Sequence, residues 1–225
     1  MPDMGFAGQA VMVFGATGAL GAGLASAFMA EGAAVTGVDR SEPTGDRRLD
    51  GVGYRAVNVL DDAALGGLFD DGPAPWAVVN TVGGFAGHTP LPELDPAVLT
   101  GQLELNLVTA ALITKHALRR MTEAGQGRVV HTASRAAVVT RGSGFAYSVS
   151  KLGVLHLVTM AADEVRGTGI TVNCVVPSII DTPANRSAMP DADHAAWPKV
   201  PDIARTYLFL ASPGAQLVSG AAIPI

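Results

Sequence analysis

The sequence is poor in the residues that build disulfide frameworks, metal clusters and basic binding surfaces. It has one cysteine, Cys174, in 225 residues, which excludes an internal disulfide and a cysteine-rich metal site. Its five histidines show no His-Glu-x-x-His spacing, so no metal centre is expected. Charged residues make up only 16% and the net charge is −5, which argues against a nucleic-acid partner, because such a partner requires a clustered basic face.

Long apolar runs are also lacking. No stretch approaches the ~20 uninterrupted apolar residues of a membrane span, so no membrane partner is expected. The first residues show no basic segment followed by an apolar run, and a cytoplasmic location is the resulting expectation. With 48% apolar residues and no linker-like or repetitive segment, the chain is predicted to form one domain over residues 1–225.

Short apolar runs alternate with longer helical patterns along the whole chain. Strands are predicted at 9–15, 34–39, 54–59, 76–82, 127–134, 169–177 and 220–225. Helices are predicted at 19–33, 61–70, 95–121, 145–166 and 201–212. The strands are continuously apolar, which indicates burial on both faces, and parallel neighbours need helical crossovers. The predicted fold class is therefore α/β, a doubly wound parallel sheet of the Rossmann type flanked by helices.

A glycine-rich turn follows the first predicted strand. Its three glycines are spaced three apart at a strand-to-helix junction, where backbone N–H groups can approach a pyrophosphate. The residues of this turn that we expect to contact a dinucleotide are Gly15, Thr17, Gly18, Ala19, Leu20 and Gly21.

The second predicted strand ends in an acidic residue, Asp39, 18 residues after Gly21. A carboxylate at this position can accept hydrogen bonds from ribose hydroxyls and repels a 2′-phosphate, so NAD is the predicted cofactor. Arg40 follows directly and could attract that phosphate, which leaves NADP open.

A Tyr–Lys pair opens the helix predicted at 145–166. Tyr147 and Lys151 are four residues apart and share one helix face. A phenol has a pKa near 10, and an ammonium group close by is expected to lower the pKa of Tyr147 toward neutrality. Ser134 ends the fifth strand, at the sheet edge where ligands bind, and its hydroxyl could hold a substrate oxygen beside Tyr147.

The chain resembles the short-chain dehydrogenase/reductase family over nearly its whole length. The Tyr-x-x-x-Lys signature, the catalytic serine and the helix asparagine of that family are matched by Tyr147, Lys151, Ser134 and Asn106. The resemblance implies hydride transfer between nicotinamide and a carbonyl or secondary alcohol carbon, with Tyr147 as acid/base. It further implies cofactor contacts by Asn58, Val59, Asn80, Val82, Gly83, Tyr147, Lys151, Pro177, Ile180 and Thr182.

Two details depart from the family's pattern. The usual Asn-Asn-Ala-Gly motif reads Asn80-Thr81-Val82-Gly83 here, and Asn58 stands where an aspartate is common. The long helices 95–121 and 145–166 form subunit contacts in this family, so a homodimer or homotetramer is expected.

The segment 181–200 is irregular and rich in proline, and in this family the corresponding loop, here about residues 178–200, covers the substrate. The residues of the substrate loop are predicted to be Gly84, Phe85, Met189 and Trp197. This segment and the run 83–87 also resemble dihydropteridine reductases within the family. Three functions therefore stay open: reduction or oxidation of a small carbonyl or alcohol substrate, reduction of a quinonoid dihydropterin, and dinucleotide sensing without catalysis.

Overall fold

The described residues build one parallel sheet covered by helices on both faces. A computed structural model describes residues 4–139 and 144–225 of the chain. Seven strands run in the order β3-β2-β1-β4-β5-β6-β7. They are β1 (Ala10–Phe14), β2 (Ala34–Asp39), β3 (Gly53–Ala56), β4 (Ala77–Asn80), β5 (Gly127–Thr132), β6 (Ile170–Val176) and β7 (Ala222–Pro224). The helices are α1 (Ala19–Ala30), α2 (Asp62–Asp70), α3 (Pro96–Gln102), α4 (Thr109–Ala124), α5 (Phe145–Glu164), α6 (Pro183–Ala188) and α7 (Val200–Ala211).

The apolar core lies in two layers, one on each face of the sheet. On one side α2, α4 and α5 pack residues such as Leu65 and Ile113 against the strands, and on the other side α1 and α7 contribute Leu24 and Leu210. All seven residues of β6 are buried, as expected of a strand that is covered on both faces. The predicted fold class is thus confirmed. The strand order reverses between β1 and β4, and ligands bind in the crevice at such a point.

The helix predicted over 95–121 is divided into three parts. α3 runs into a π-helical segment, Leu103–Val108. α4 then continues to Ala124 and is capped by Gly125, whose φ of 70° is the left-handed cap conformation. The wider turn includes Asn106, whose buried side chain binds a neighbouring loop. Such bulges are frequent at functional sites.

The segment 181–200, predicted to be irregular, contains the short helix α6. It is formed by its caps rather than by an apolar period, since the Thr182 hydroxyl accepts from the Asn185 N–H at 3.2 Å and proline occupies the first turn. Asn185 also donates to the carbonyl of Ile180 at 2.8 Å. At its base the segment is closed by a parallel bridge between Asp181 and Lys199.

Two helical stretches, Pro96–Ala124 and Phe145–Glu164, are long and apolar enough to cross a membrane by length and composition alone. Both contribute buried residues to the core beside the sheet. Core helices of water-soluble proteins pass the same test, so the finding is weak evidence for a span.

Candidate active site and dinucleotide cradle

The turn after β1 fits a dinucleotide, because its backbone is packed so closely at Gly15 and Gly21 that neither position can carry a side chain. A Cβ on Gly21 would lie 2.1 Å from the Gly15 carbonyl oxygen, and one on Gly15 would lie 2.6 Å from Oγ1 of Thr81. Gly15 also has a φ of 79°, which other residues rarely adopt. Gly18 is the N-cap of α1, and the first turn of α1 holds no acidic residue. The free N–H groups of that turn therefore suit a phosphate.

The carboxylate of Asp39 accepts three hydrogen bonds, two of which join it to this turn. One carboxylate oxygen accepts from N–H and Oγ1 of Thr17 at 3.1 and 2.6 Å, and the other accepts from the Arg40 N–H at 2.8 Å. The structure therefore brings Asp39 next to the glycine turn, where the sequence predicts an adenosine ribose site. Asn58 is exposed just beyond β3, and Val59 behind it is buried.

The loop after β4 is supported by a buried imidazole, that of His131 in β5. Thr114 Oγ1 donates to the Ala110 carbonyl at 2.7 Å, so it accepts from Nε2–H of His131 at 2.8 Å. Nδ1 is then free to accept from the Asn80 amide at 3.1 Å. The side-chain oxygen Oδ1 of Asn80 accepts from the Val82 N–H at 2.9 Å. Burial first, and then nearby Lys151, lower the pKa of His131 to about 3, which keeps the ring neutral.

Asn106 holds the next part of that loop. Its Oδ1 accepts from the Gly84 N–H at 3.0 Å, and its Nδ2 donates to the Gly84 carbonyl at 3.1 Å. A Cβ on Gly83 would lie 2.6 Å from Asn106 Oδ1 and 2.8 Å from Lys151 Nζ. Gly83 is thus the contact point at which the predicted cofactor loop meets two of the predicted catalytic residues.

Ser134, Tyr147 and Lys151 come together at the carboxyl edge of β5. α5 begins at Phe145, which places Tyr147 in its first turn and Lys151 one turn later. The Ser134 hydroxyl lies close enough to the Tyr147 phenol to lower its pKa. Nζ of Lys151 is buried and donates to the Thr132 carbonyl at 3.0 Å. The sequence-based grouping of these three side chains is reproduced by the geometry.

The electrostatics differ from the sequence-based expectation that Lys151 lowers the pKa of Tyr147. Burial raises the pKa of Tyr147, and the hydrogen bond from Ser134 is what opposes that rise. Burial also lowers the pKa of Lys151 to about 8. Nζ lies 6.0 Å from the centre of the Tyr147 ring. The expectation failed because the sequence shows the spacing of the two residues but not how deeply they are buried.

Sequence reasoning missed two supporting residues, Ser150 and Thr132. Ser150 Oγ donates to the Tyr147 carbonyl at 2.8 Å and accepts from Asn106 Nδ2 at 3.0 Å, so it joins α5 to the π-helical segment. Thr132 Oγ1 donates to the Asn80 carbonyl at 2.8 Å, while its own carbonyl accepts from Lys151. The position of Ser150 inside the Tyr-x-x-x-Lys signature was the only available signal.

The predicted residues after β6 lie at the same edge of the sheet. Pro177 directly follows β6 and is buried, and Ile180 and Thr182 are half-buried before α6. The side chains of Met189 and Trp197, predicted to line the substrate site, are half-buried. They are joined through His194, which donates to the Met189 carbonyl at 2.7 Å and packs on the Trp197 ring with centroids 4.6 Å apart.

Across residues 4–139 and 144–225 no group of three His, Cys, Asp or Glu side chains is placed to hold a metal ion. The described geometry therefore offers a dinucleotide cradle, a phenol–hydroxyl pair and a buried lysine, a set suited to moving a proton on an oxygen beside a nicotinamide.

Comparisons with known proteins agree with this arrangement. A family model described as short chain dehydrogenase matches residues 9–193. The chain is 33% identical to the cis-4-hydroxycyclohexanecarboxylate dehydrogenase of Sinomonas cyclohexanicum, covering 98% of this chain and 96% of that protein. It is 30% identical to the D-threitol dehydrogenase of Mycolicibacterium smegmatis, covering 99% and 93%. A solved short-chain dehydrogenase/reductase from Mycobacterium ulcerans superimposes with a TM-score of 0.89 at 26% identity, covering 98% of this chain and 89% of that one.

Proposed function

The chain belongs to the short-chain dehydrogenase family and is an oxidoreductase, and on that premise we propose that it transfers a hydride between a nicotinamide dinucleotide and a carbonyl or secondary alcohol carbon. The observation that carries the proposal is the grouping of Ser134 and Tyr147 at the carboxyl edge of the sheet with buried Lys151, whose Nζ donates to the Thr132 carbonyl at 3.0 Å and lies 6.0 Å from the centre of the Tyr147 ring.

Each residue of this group has a distinct role in the proposed reaction. The dinucleotide, when bound, accepts or supplies the hydride. Tyr147 takes the proton from the substrate hydroxyl during oxidation and returns it during reduction. Ser134 orients the substrate oxygen toward the phenol, and Lys151 would hold the ribose of a bound nicotinamide dinucleotide. Asn106 fixes Gly84 and, through Ser150, the first turn of α5.

We propose NAD rather than NADP as the cofactor. The carboxylate of Asp39 lies against the glycine turn, and its negative charge repels a 2′-phosphate placed on the adenosine ribose. Arg40 is exposed beside it, and its side chain is the feature that would favour NADP.

We also propose that the protein acts as a homodimer or homotetramer through α5 and the π-helical segment. Large apolar side chains remain exposed on these elements: Val108, Phe145, Val149, Leu152 and Met160. A helix that is apolar all round is normally covered. A second copy of the chain presents the same apolar face and would cover it.

Replacement of Tyr147 by phenylalanine tests the proposed chemistry. We expect turnover to fall at least ~100-fold, because proton transfer by a positioned group contributes that much, while the dissociation constant for NADH stays within a factor of a few. The assay follows NADH fluorescence with ketones, sugars, their alcohols and quinonoid dihydropterin. Cofactor binding by the unaltered protein without turnover of any of these would support dinucleotide sensing instead.

A further inference from the structure

One aromatic ring, that of Phe85, stands beside the catalytic phenol. The Phe85 ring meets the Tyr147 ring edge to face, with centroids 5.2 Å apart and planes at 87°. The Phe85 ring also meets the His88 ring, with centroids 5.0 Å apart. We call Phe85 and His88 the aromatic wall.

The aromatic wall is held in place from both ends. The residue before Phe85, Gly84, has both its N–H and its carbonyl bound by Asn106. Thr89, directly after His88, forms a parallel bridge with Gly144. A Cβ on Gly144 would lie 3.6 Å from Phe85 and 3.8 Å from His88, so a glycine there leaves space beside the two rings.

Phe85 remains 51% exposed although it touches Tyr147. A substrate whose oxygen is bound by Tyr147 and Ser134 has its reacting carbon within bonding distance of that oxygen. The groups attached to that carbon therefore lie within reach of the Phe85 ring. Covering an exposed phenyl removes apolar surface from water, which is favourable by ~25 cal/mol per Å².

The chemical character of the wall limits what can cover it. The Phe85 ring, which is the part of the wall that contacts Tyr147, offers no hydrogen bond, whereas the His88 imidazole can form one. The exposed residues Val138 and Val139, four and five positions after Ser134, are also apolar. Substrate hydroxyl groups that lie on the Phe85 ring would be left unpaired, which costs binding energy. The apolar face of a saturated carbon ring, in contrast, can cover the phenyl ring with C–H groups that need no hydrogen bond.

We propose that the substrate is an apolar ring compound bearing a secondary hydroxyl group, or the matching cyclic ketone, and that Phe85 determines this specificity. The inference rests on the proposed function. In the oxidation, the ring C–H bond breaks and its hydride, with two electrons, reduces NAD⁺; the hydroxyl proton passes to Tyr147, and the carbon–oxygen double bond forms. The substrate ring packs on Phe85 while this occurs.

Three alcohols test the proposal when NAD⁺ is the oxidant. Cyclohexanol is the ring compound, 2-hexanol is its open-chain apolar counterpart, and erythritol is the polyol. We expect kcat/KM for cyclohexanol to exceed that for 2-hexanol, and to exceed that for erythritol at least ~10-fold. Equal values for cyclohexanol and 2-hexanol, or a preference for erythritol, would overturn the proposed substrate class.

Variants of Phe85 test the specificity role. Phe85→Ala should lower kcat/KM for cyclohexanol by about 10- to 100-fold and leave that for erythritol within about 3-fold, since only the ring compound covers the phenyl. Phe85→Leu should recover most of the loss. Leu217→Ala, at a side chain that is 93% exposed, is the matched control and should change nothing. An unchanged preference in Phe85→Ala would refute the role of Phe85.

A binding measurement separates this proposal from the proposed function. Cyclohexanone should bind to the protein loaded with NAD⁺ in isothermal titration calorimetry, and Phe85→Ala should weaken that binding at least ~10-fold. If other alcohols are oxidised but cyclohexanone does not bind, the ring class alone is wrong. If NADH binds and no alcohol or ketone is converted, the proposed function itself fails.

Discussion

Two influences act in opposite directions on the phenol of Tyr147. Burial raises its pKa, and the hydrogen bond from Ser134 lowers it. Alcohol oxidation needs the phenolate, so its kcat/KM should rise as the pH increases toward the raised pKa of Tyr147. Ketone reduction needs the protonated phenol, so its kcat/KM should fall only as the pH passes above that pKa.

Ser134→Ala should therefore move both pH profiles to higher pH, because it removes the hydrogen bond that lowers the Tyr147 pKa. The measurement is kcat/KM against pH in both directions. Ser148→Ala, next to Tyr147 on α5, is the control and should leave the profiles in place. Profiles of Ser134→Ala that coincide with those of the unaltered protein would contradict the assigned hydrogen bond.

Asp39→Asn should change cofactor preference without dismantling the glycine turn. An amide oxygen can still accept from Thr17, but the charge that repels a 2′-phosphate is gone. We expect the ratio of NADPH to NADH affinity to rise by about 10-fold, which corresponds to ~1.4 kcal/mol. Fluorescence titration with both cofactors measures it.

Glu42→Gln is the control for Asp39→Asn, since it removes an exposed carboxylate that pairs with Arg48 at 2.9 Å. The ratio of affinities should not move in this variant. A clear preference of the unaltered protein for NADPH would contradict the assignment of NAD.

At the scale of residues, the sequence predicted what depends on short spacing. Gly15 and Gly21, and likewise Tyr147 and Lys151, are fixed relative to one another by a turn or a helix. His131 is buried in β5. Its partners could not be predicted, because Asn80 lies 51 positions away and Thr114 17 positions away. Only the folded chain shows that this ring supports the cofactor loop.

At the scale of elements, the imidazole of His131 in β5 forms hydrogen bonds through its two nitrogens to β4 and to α4. Thr114→Val should lower the free energy of unfolding by about 1–3 kcal/mol, because the buried Nε2–H loses its acceptor while the shape of the side chain is kept. Urea denaturation measures the change.

Thr159→Val is a matched control for Thr114→Val. Thr159 also donates to the carbonyl four residues earlier, that of Leu155, at 3.2 Å, but it is exposed on α5 and is bonded to no histidine. We expect a change within about 0.5 kcal/mol. If both variants lose the same stability, the imidazole contributes nothing and the network assigned to His131 is wrong.

Elements with an apolar period were found from the sequence, and those formed by individual polar contacts were not. β2 was predicted with its observed bounds, Ala34–Asp39. The π-helical segment was missed because a single side chain, Asn106, marks it, and its neighbours are as apolar as any helix. α6 was missed because it is only six residues long and begins at an N-cap, Thr182, whose hydroxyl accepts from the Asn185 N–H.

At the scale of the whole molecule, the alternation of strands and helices predicted the parallel sheet but not the neighbours of each strand. Strand order depends on which crossovers turn outward from β1, and local pattern holds no information on that. Subunit contacts are equally hard to predict from the sequence. An apolar helix face has the same residue pattern whether it is covered by its own chain or by a second copy.

Leu152→Glu tests the proposed assembly, because Leu152 is 52% exposed on the apolar side of α5. A charge buried between two copies is costly, so we expect dissociation to smaller species in sedimentation velocity. Leu217→Glu is the control and should sediment like the unaltered protein. A chain that is monomeric before any substitution would contradict the proposal.

The bridge between Asp181 and Lys199 bears on which parts of this sequence can vary in evolution. The N–H of Asp181 donates to the Pro198 carbonyl at 2.9 Å, so both ends of the intervening segment meet at one fixed point on the sheet edge. Because its two ends are held together, this segment can vary in length and composition while the strands beneath it keep their register. Grafting the corresponding stretch from a relative onto this base would be the direct route to a new substrate.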